Sequence, residues 1–482
     1  MLIHDFGNRG EHQQECHATL HGIQSGRALV VMPTGAGKSW NEYLAVLDGF
    51  ARSPNYEISA ILSPRIALAV QHIKNFHQMV TTKGFKRVRY LCVHSGRDDV
   101  NDFEFEMDGW PLEVVTTTTI DEIQAEIQKS QNNDFHLMVF ATYHSYDRLN
   151  AAMLRMDIKG DTLVNDECHY LIQENFEWIL NPKSPMPFAR VLNFTATSRE
   201  NIKAENGVSM TNRNRFGPLV HRNTAYEMIE RGVIVAPRLY RWHTAGSGDA
   251  NTDRAHLVEQ ILKIMNPTNN NEIKLLVNAN GTEFIEKFVA GLTDFWKAIE
   301  EQIDVFALTS AMGPIHNGVK MKNRRAFIEA VNASKRCVVL HYDTLSEGID
   351  VDGFTDILQF RFPDVAKTCQ QIGRGTRVHQ TDREALNEGK IKPNNPKGWV
   401  KPYCRVHVLH SSEVDADTNS KIEELIVNLR TNGFNVVEEI VEDRNNGVNH
   451  SEVMGPDTGN ERDLEMTAVD WDVDLKFSYS VL

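Results

Sequence analysis

The sequence predicts an α/β protein of two tandem domains with parallel sheets, plus a small acidic C-terminal extension, and three observations carry that expectation. An apolar run at 28–31 passes through the turn Met32-Pro33-Thr34-Gly35-Ala36-Gly37-Lys38-Ser39 into a helical pattern at 41–47. Apolar strands then alternate with helical patterns to about residue 200, and the alternation resumes after a polar break. The net charge of −14 is concentrated at the end: from Ser411 onward 17 acidic residues face 5 basic ones, against 48 and 46 in the rest. A near-neutral body can carry a local basic groove, so overall acidity does not exclude a nucleic-acid partner.

At 482 residues the chain exceeds one small core and suggests two or three domains. Its longest apolar runs fall far short of the ~20 residues that span a bilayer, so no membrane partner is expected. The first residues lack a basic region followed by an apolar core, which argues against a secretory signal. Six scattered cysteines without a Cys-x-x-Cys pair read as reduced, intracellular thiols and no zinc site. The expected location is cytoplasmic, or the host cytoplasm if the chain is viral.

The first element is a strand, a tight glycine turn and a helix start, which together make a phosphate cradle. Its glycines turn backbone N–H groups inward, and the helix N-terminus adds its positive end. Lys38 supplies a point charge, and the Ser39 hydroxyl can hold Mg²⁺. Met32 stands where the broad P-loop pattern has glycine, but Gly35 and Gly37 preserve the turn. Ahead of it, a short helical pattern at 16–20 follows Gln13 and Gln14, whose amides each offer the donor and acceptor that suit an adenine edge.

A strand at 58–62 ends in Ser63-Pro64-Arg65, a βα turn whose free amides, with Ser63 and Arg65, can hold a backbone phosphate. Further strands are expected at 88–93 and 114–118, a helix at 120–128, and a buried strand at 137–145 with a polar tip. In such sheets ligands gather at the carboxyl ends of the strands. The second chemical signal is Thr162-Leu163-Val164-Asn165-Asp166-Glu167-Cys168-His169. Asp166 is placed to hold Mg²⁺ through water, and Glu167 to orient and deprotonate an attacking water.

These runs resemble superfamily 2 helicases and translocases. Residues 33–39 look like their motif I, 63–65 like motif Ia, Asp166-Glu167-Cys168-His169 like the DExH motif II, and Thr195-Ala196-Thr197 like motif III. Leu345-Ser346-Glu347-Gly348-Ile349-Asp350 resembles motif V, and Gln370-Gln371-Ile372-Gly373-Arg374-Gly375-Thr376-Arg377 resembles the arginine-finger motif VI. Gln13 sits where the family places its adenine-reading glutamine, with Gln14 as the alternative. On a helix, Arg374 and Arg377 share a face, and an arginine finger is worth ~10³–10⁵ in turnover.

The resemblance implies RecA-like domains at 1–205 and 236–410, a linker at 206–235 and an extension at 411–482. It implies ATP held by Gln13, Thr34, Gly35, Ala36, Gly37, Lys38 and Ser39, with Gly348 and Asp350 from the second domain, and Mg²⁺ held by Ser39 and Asp166. His169, Thr195, Thr197 and Gln370 would couple the sites. Ser63, Arg65, Thr142, Ser145, Asn278, Leu345 and Ser346 would grip nucleic acid, and closure of the two domains would drive stepping.

The wording of motifs V and VI and of the 139–145 strand resembles the restriction-subunit-like and phage recombination branch. The expected activity is therefore an ATP-dependent DNA helicase or translocase remodelling forks, branched DNA or duplexes in recombination, repair or replication. The alternatives are a DExH-type RNA helicase and a nucleic-acid-activated ATPase switch that does not unwind. A third, a P-loop kinase or metabolic ATPase, predicts turnover indifferent to nucleic acid. The loop at 389–401, with four lysines and Trp399, reads either as a stacking surface or as a solvated hairpin. The acidic extension, with a helix at 422–429, offers a docking tail for a protein partner or a mobile tail.

Overall fold

Strands buried on both faces need near-continuous apolar runs, and the first sheet is built from them. It comprises β1 (Gly26–Val31), β2 (Ile58–Ser63), β3 (Val88–Val93), β4 (Val115–Thr117), β5 (His136–Thr142), β6 (Gly160–Asn165), β7 (Phe188–Thr195) and β8 (Leu219–Arg222). Their order is β4-β3-β5-β2-β6-β7-β1-β8, and every pairing is parallel. Its connecting helices are α1 (Glu11–Gly22), α2 (Lys38–Arg52), α3 (Ile66–Thr82), α4 (Ile120–Asn132), α5 (Tyr146–Arg155) and α6 (Arg213–Phe216). Register aligns the strand ends that matter: Val31 faces Thr195, Asn165 faces Asn193, and Ser63 faces Thr142. The carboxyl edge of one sheet thus collects the phosphate turn, the Asp166-Glu167 pair and Thr195.

This computed structural model describes residues 10–453 except 54, 95–102, 104–106, 108–111, 197–208, 244–249, 266–271, 280, 291–302, 310–311, 343–350, 352, 361–364, 394, 396, 411–415, 432, 435 and 445–446. Thr197, Leu345, Ser346, Gly348, Asp350, the Gln370 side chain and the 470–474 end of the acidic extension lie outside what is described.

The chain divides between Thr224 and Ala225 into two units. The stretch read as a linker at 206–235 is therefore shared between them. Its first half supplies α6 and β8, the strand paired to β1, because Leu219 and Phe216 are buried in the first core.

The second unit holds α7 (Ala225–Glu230), β9 (Ala236–His243), α8 (Ala250–Met265), β10 (Ile273–Asn278), α9 (Thr282–Ala290), β11 (Asp304–Thr309), β12 (Gly313–His316) and β13 (Val319–Lys320). It continues with α10 (Arg324–Ala333), β14 (Arg336–His341), β15 (Asp356–Gln359), α11 (Val365–Gly375), α12 (Gln380–Asn387), β16 (Tyr403–His410), α13 (Ala416–Thr431), β17 (Val437–Arg444) and β18 (Gly447–Val453). The order is β13-β12-β11-β14-β10-β15-β16-β9-β17-β18. The strands from β11 to β17 are parallel, and antiparallel hairpins close both edges.

The start of the acidic extension belongs to this sheet, since β17 pairs with β9 from Val437↔Arg238 to Val441↔Trp242. Ile422, Leu425, Ile426 and Leu429 of α13 are buried at helical spacing. At about 1.5–3 kcal/mol for each buried side chain, they hold that helix to the unit.

Candidate nucleotide-hydrolysis site

The phosphate turn depends on two glycines with left-handed backbone, Gly35 (φ 88°) and Gly37 (φ 84°), the latter capping the N-terminus of α2. A Cβ on Gly37 would sit 1.8 Å from Gln13 Nε2, so the approach of α1 requires glycine there as well. Gln13 is buried and its Nε2 donates to Gly37 O at 3.2 Å, while Gln14 is exposed. The neighbouring His12 Nε2 lies 2.9 Å from Ala36 O. Thus α1 satisfies two carbonyls of the turn. His12 had no motif to announce it.

Lys38, at the first position of α2, bridges the strand-end acids. Its Nζ is 2.7 Å from Asp166 Oδ1 and 2.5 Å from Glu167 Oε1, with all three side chains largely buried. Burial alone would raise the Asp166 carboxyl, but Lys38, helped by His72, holds it far below the usual carboxylate range. Glu167 behaves likewise: burial is outweighed by Lys38 and a hydrogen bond with His169, and its carboxyl stays low. Lys38 itself is raised, because the two carboxylates outweigh its desolvation. Glu167 also takes the left-handed backbone region (φ 54°), uncommon for a residue other than glycine and a strain that active sites retain.

Behind Asp166 stands a layer that sequence reasoning missed. His72 Nε2 is 2.8 Å from Asp166 Oδ2, and His72 Nδ1 is 2.8 Å from the Tyr43 hydroxyl. The only sequence signal was a histidine and a tyrosine on apolar helices, which more often mean packing. Glu42 is fully buried in the same layer, and burial followed by the Asp166 charge pushes its carboxyl well above the usual range. Ser39 lies beside the Tyr43 phenol. An ionised, buried Asp166 and a hydroxyl at a helix N-terminus suit a hydrated Mg²⁺, which when bound would neutralise phosphate charge.

Of the residues expected to couple the sites, His169 and Thr195 lie together. His169 Nδ1 is 2.9 Å from Thr195 Oγ1 and 3.3 Å from Glu167 Oε2. A buried asparagine relay runs alongside, with Asn165 Nδ2 donating to Asn193 Oδ1 and Asn193 Nδ2 donating to Phe216 O, each at 2.8 Å.

In the second unit, Arg374 lies in the last turn of α11. Arg377 does not share that helix, as the equal spacing had suggested. The helix ends at Gly375 and Arg377 forms an isolated antiparallel bridge with Ile234. Close packing explains the exit: Gly375 lies against Cys404 and Ile357, and Lys401 Nζ holds Arg377 O at 2.7 Å. Lys401 is buried, so it leaves the set of four loop lysines read as one surface.

The residues expected to grip nucleic acid are mostly inside. Ser63, Thr142 and Ser145 are buried, and Ser145 Oγ donates to Val93 O at 2.7 Å while pairing with Thr142 in a capping box. Asn278 is 1% exposed and donates to Gln359 Oε1 at 3.1 Å, and Gln359 Nε2 donates to Gln371 Oε1 at 2.9 Å. These side chains are turn-builders and internal amides, because polar groups at buried strand ends must find protein partners. Arg65 caps α3 and His144 is exposed at the tip of β5, so these remain at the surface.

Two parallel-sheet α/β units, the first with a phosphate turn joined to paired carboxylates, define the tandem RecA-like class. Residues 9–200 match the family model for the type III restriction enzyme res subunit, and residues 255–379 match that for the helicase conserved C-terminal domain. Together these two matches support a superfamily 2 helicase with restriction-subunit-like similarity.

The fold resembles the ATP-dependent Type ISP restriction-modification enzyme LlaBIII bound to DNA, at 14% identity and TM-score 0.60, covering 87% of this chain and 29% of that one. A putative HsdR subunit fragment of a type I restriction enzyme from Vibrio vulnificus YJ016 gives 15% identity and TM-score 0.53, covering 92% and 70%. S. cerevisiae Dbp5 bound to RNA and ADP BeF3 gives 14% and 0.52, covering 89% of each chain. The chain therefore spans about 29% of the length of the LlaBIII chain. No curated protein matches it. Among the described residues no helix is long and apolar enough to cross a membrane.

Proposed function

We propose that this chain is an ATP-driven motor acting on DNA, remodelling forks, branched DNA or duplexes in recombination, repair or replication. The observation that carries the reading is Lys38 bridging Asp166 and Glu167, with Glu167 tied through His169 to Thr195. Incoming phosphates compete for the Lys38 ammonium, and its transfer to them frees Glu167 Oε1. A water oxygen then attacks the γ-phosphorus, its proton passes to Glu167, and the bond from that phosphorus to the bridging oxygen of ADP breaks. Arg374 and Arg377 would neutralise charge on the γ-phosphoryl from the second unit, so hydrolysis would require closure. Restriction-subunit similarity over residues 9–200 supports DNA as the substrate.

The test is the ATPase rate against single-stranded, duplex, forked and four-way DNA and against RNA, paired with strand displacement. Stimulation by DNA above RNA is expected. Greater stimulation by RNA would replace the substrate, and hydrolysis without displacement would make the chain a switch. Turnover indifferent to both nucleic acids would end the motor reading.

A further inference from the structure

Away from the phosphate turn, α1 and α2 bring a second set of ligating side chains together. His17 and His21 lie one helical turn apart on α1, and Asp48 faces them from α2. His17 Nε2 and His21 Nδ1 each lie 2.9 Å from the same atom, Asp48 Oδ2. His17 and Asp48 are buried, while the His21 side chain is 36% exposed and leaves a path to solvent. Arg190 senses Asp48 from nearby, yet its guanidinium is engaged by Asp161, Thr162 and the carbonyls of Ile23 and Ala45.

We propose that His17, His21 and Asp48 form a binding site for a divalent transition-metal ion of the zinc type. Two imidazole nitrogens and one carboxylate oxygen suit Zn²⁺ or Co²⁺ and disfavour Mg²⁺, which selects oxygen donors. Histidines at i and i+4 on one helix face are a spacing that presents two rings to one zinc. Bonds of about 2.1 Å at tetrahedral angles separate donors by about 3.4 Å. Each 2.9 Å contact therefore opens by only about half an ångström, with water completing the fourth position on the exposed side of His21. The scattered cysteines have no bearing on this site, since no thiol takes part. Occupancy would clip α1 to α2, and α1 is the helix that places His12 and Gln13 on the carbonyls of the phosphate turn. The metal-binding claim stands whether or not the chain is a motor.

The test titrates the full chain, without a polyhistidine tag and in excess Mg²⁺, with Co²⁺ as the probe. Tetrahedral visible absorption saturating at one ion per chain is expected, with displacement by Zn²⁺ and a Zn²⁺-dependent rise in the melting midpoint. His21→Gln and Asp48→Asn should each weaken Co²⁺ binding more than about tenfold. His21→Gln sits at a partly exposed position, and its metal-free melting curve reports whether the fold is intact. It decides the matter alone if Asp48→Asn does not fold. No such absorption in the unsubstituted chain, or the same affinity in a folded His21→Gln, would overturn the site.

Discussion

His169 Nδ1 lies 2.9 Å from Thr195 Oγ1, joining the strand end that carries the acid pair to the neighbouring strand. Since His169 also reaches Glu167, any shift of β7 at Thr195 is felt at that carboxylate. Thr195→Val keeps the shape and removes the hydroxyl. We expect nucleic-acid-stimulated turnover to fall by about two- to tenfold, the worth of one hydrogen bond of ~0.5–1.5 kcal/mol. Basal turnover and ATP affinity should hold. Equal loss of basal and stimulated rates would show that the contact serves chemistry and not coupling.

Lys38→Ala and Glu167→Gln should both abolish hydrolysis while leaving nucleic-acid binding measurable, but their stabilities should diverge. Removing Lys38 leaves two buried carboxylates without their cation, a loss of about 3–5 kcal/mol. Glu167→Gln retains the Lys38–Asp166 pair and should cost much less. Urea unfolding of the two variants measures the difference.

The relay Asn278–Gln359–Gln371 ties β10 through β15 to α11, whose last turn carries Arg374. Gln359→Leu removes one partner from each neighbour at a buried site. A destabilisation of about 1–3 kcal/mol per amide left short is expected, read by chemical denaturation. A change below half of one kcal/mol, on the order of a neutral surface substitution, would mean that the amides find new partners.

Glu57 supplies a pH signature separate from the acid pair. Burial, with Asp161 adding to it, pushes its carboxyl up to about 7. An acid whose folded value lies above its unfolded one holds its proton more tightly when folded. Its stabilising effect is full below the unfolded value and is lost as pH rises through about 7. Glu57→Gln should therefore gain stability over the parent at pH 8 and lose that advantage by about pH 5. Asp166 and Glu167 act in the opposite sense. Their depressed carboxyls stabilise above the ordinary carboxylate range, and that contribution fades as the solution becomes more acid.

Local pattern carried far in this chain. The run at 88–93 became β3 at those bounds, and the sheet-and-helix alternation is that of the two units. Chain order alone placed Lys38 and Asp166 in one neighbourhood, because a P-loop and an acidic strand end on one parallel sheet share its carboxyl edge. Helix geometry failed at Arg377, where packing of Gly375 on Cys404 ends α11 early. Polar type was a poor guide at Ser63, Thr142, Ser145 and Asn278, whose side chains turned inward to satisfy the backbone and one another.

What the sequence by itself determined is the run of elements and the identity of the phosphate turn and acid pair, since both follow from residues adjacent in the chain. Tertiary structure alone decided that His72 and Tyr43 stand behind Asp166, that His12 braces the turn, and that His17, His21 and Asp48 converge. Those contacts join residues 24 to 94 positions apart, on different helices and strands. No local periodicity encodes such a distance; it exists only once buried polar groups, denied water, must find each other.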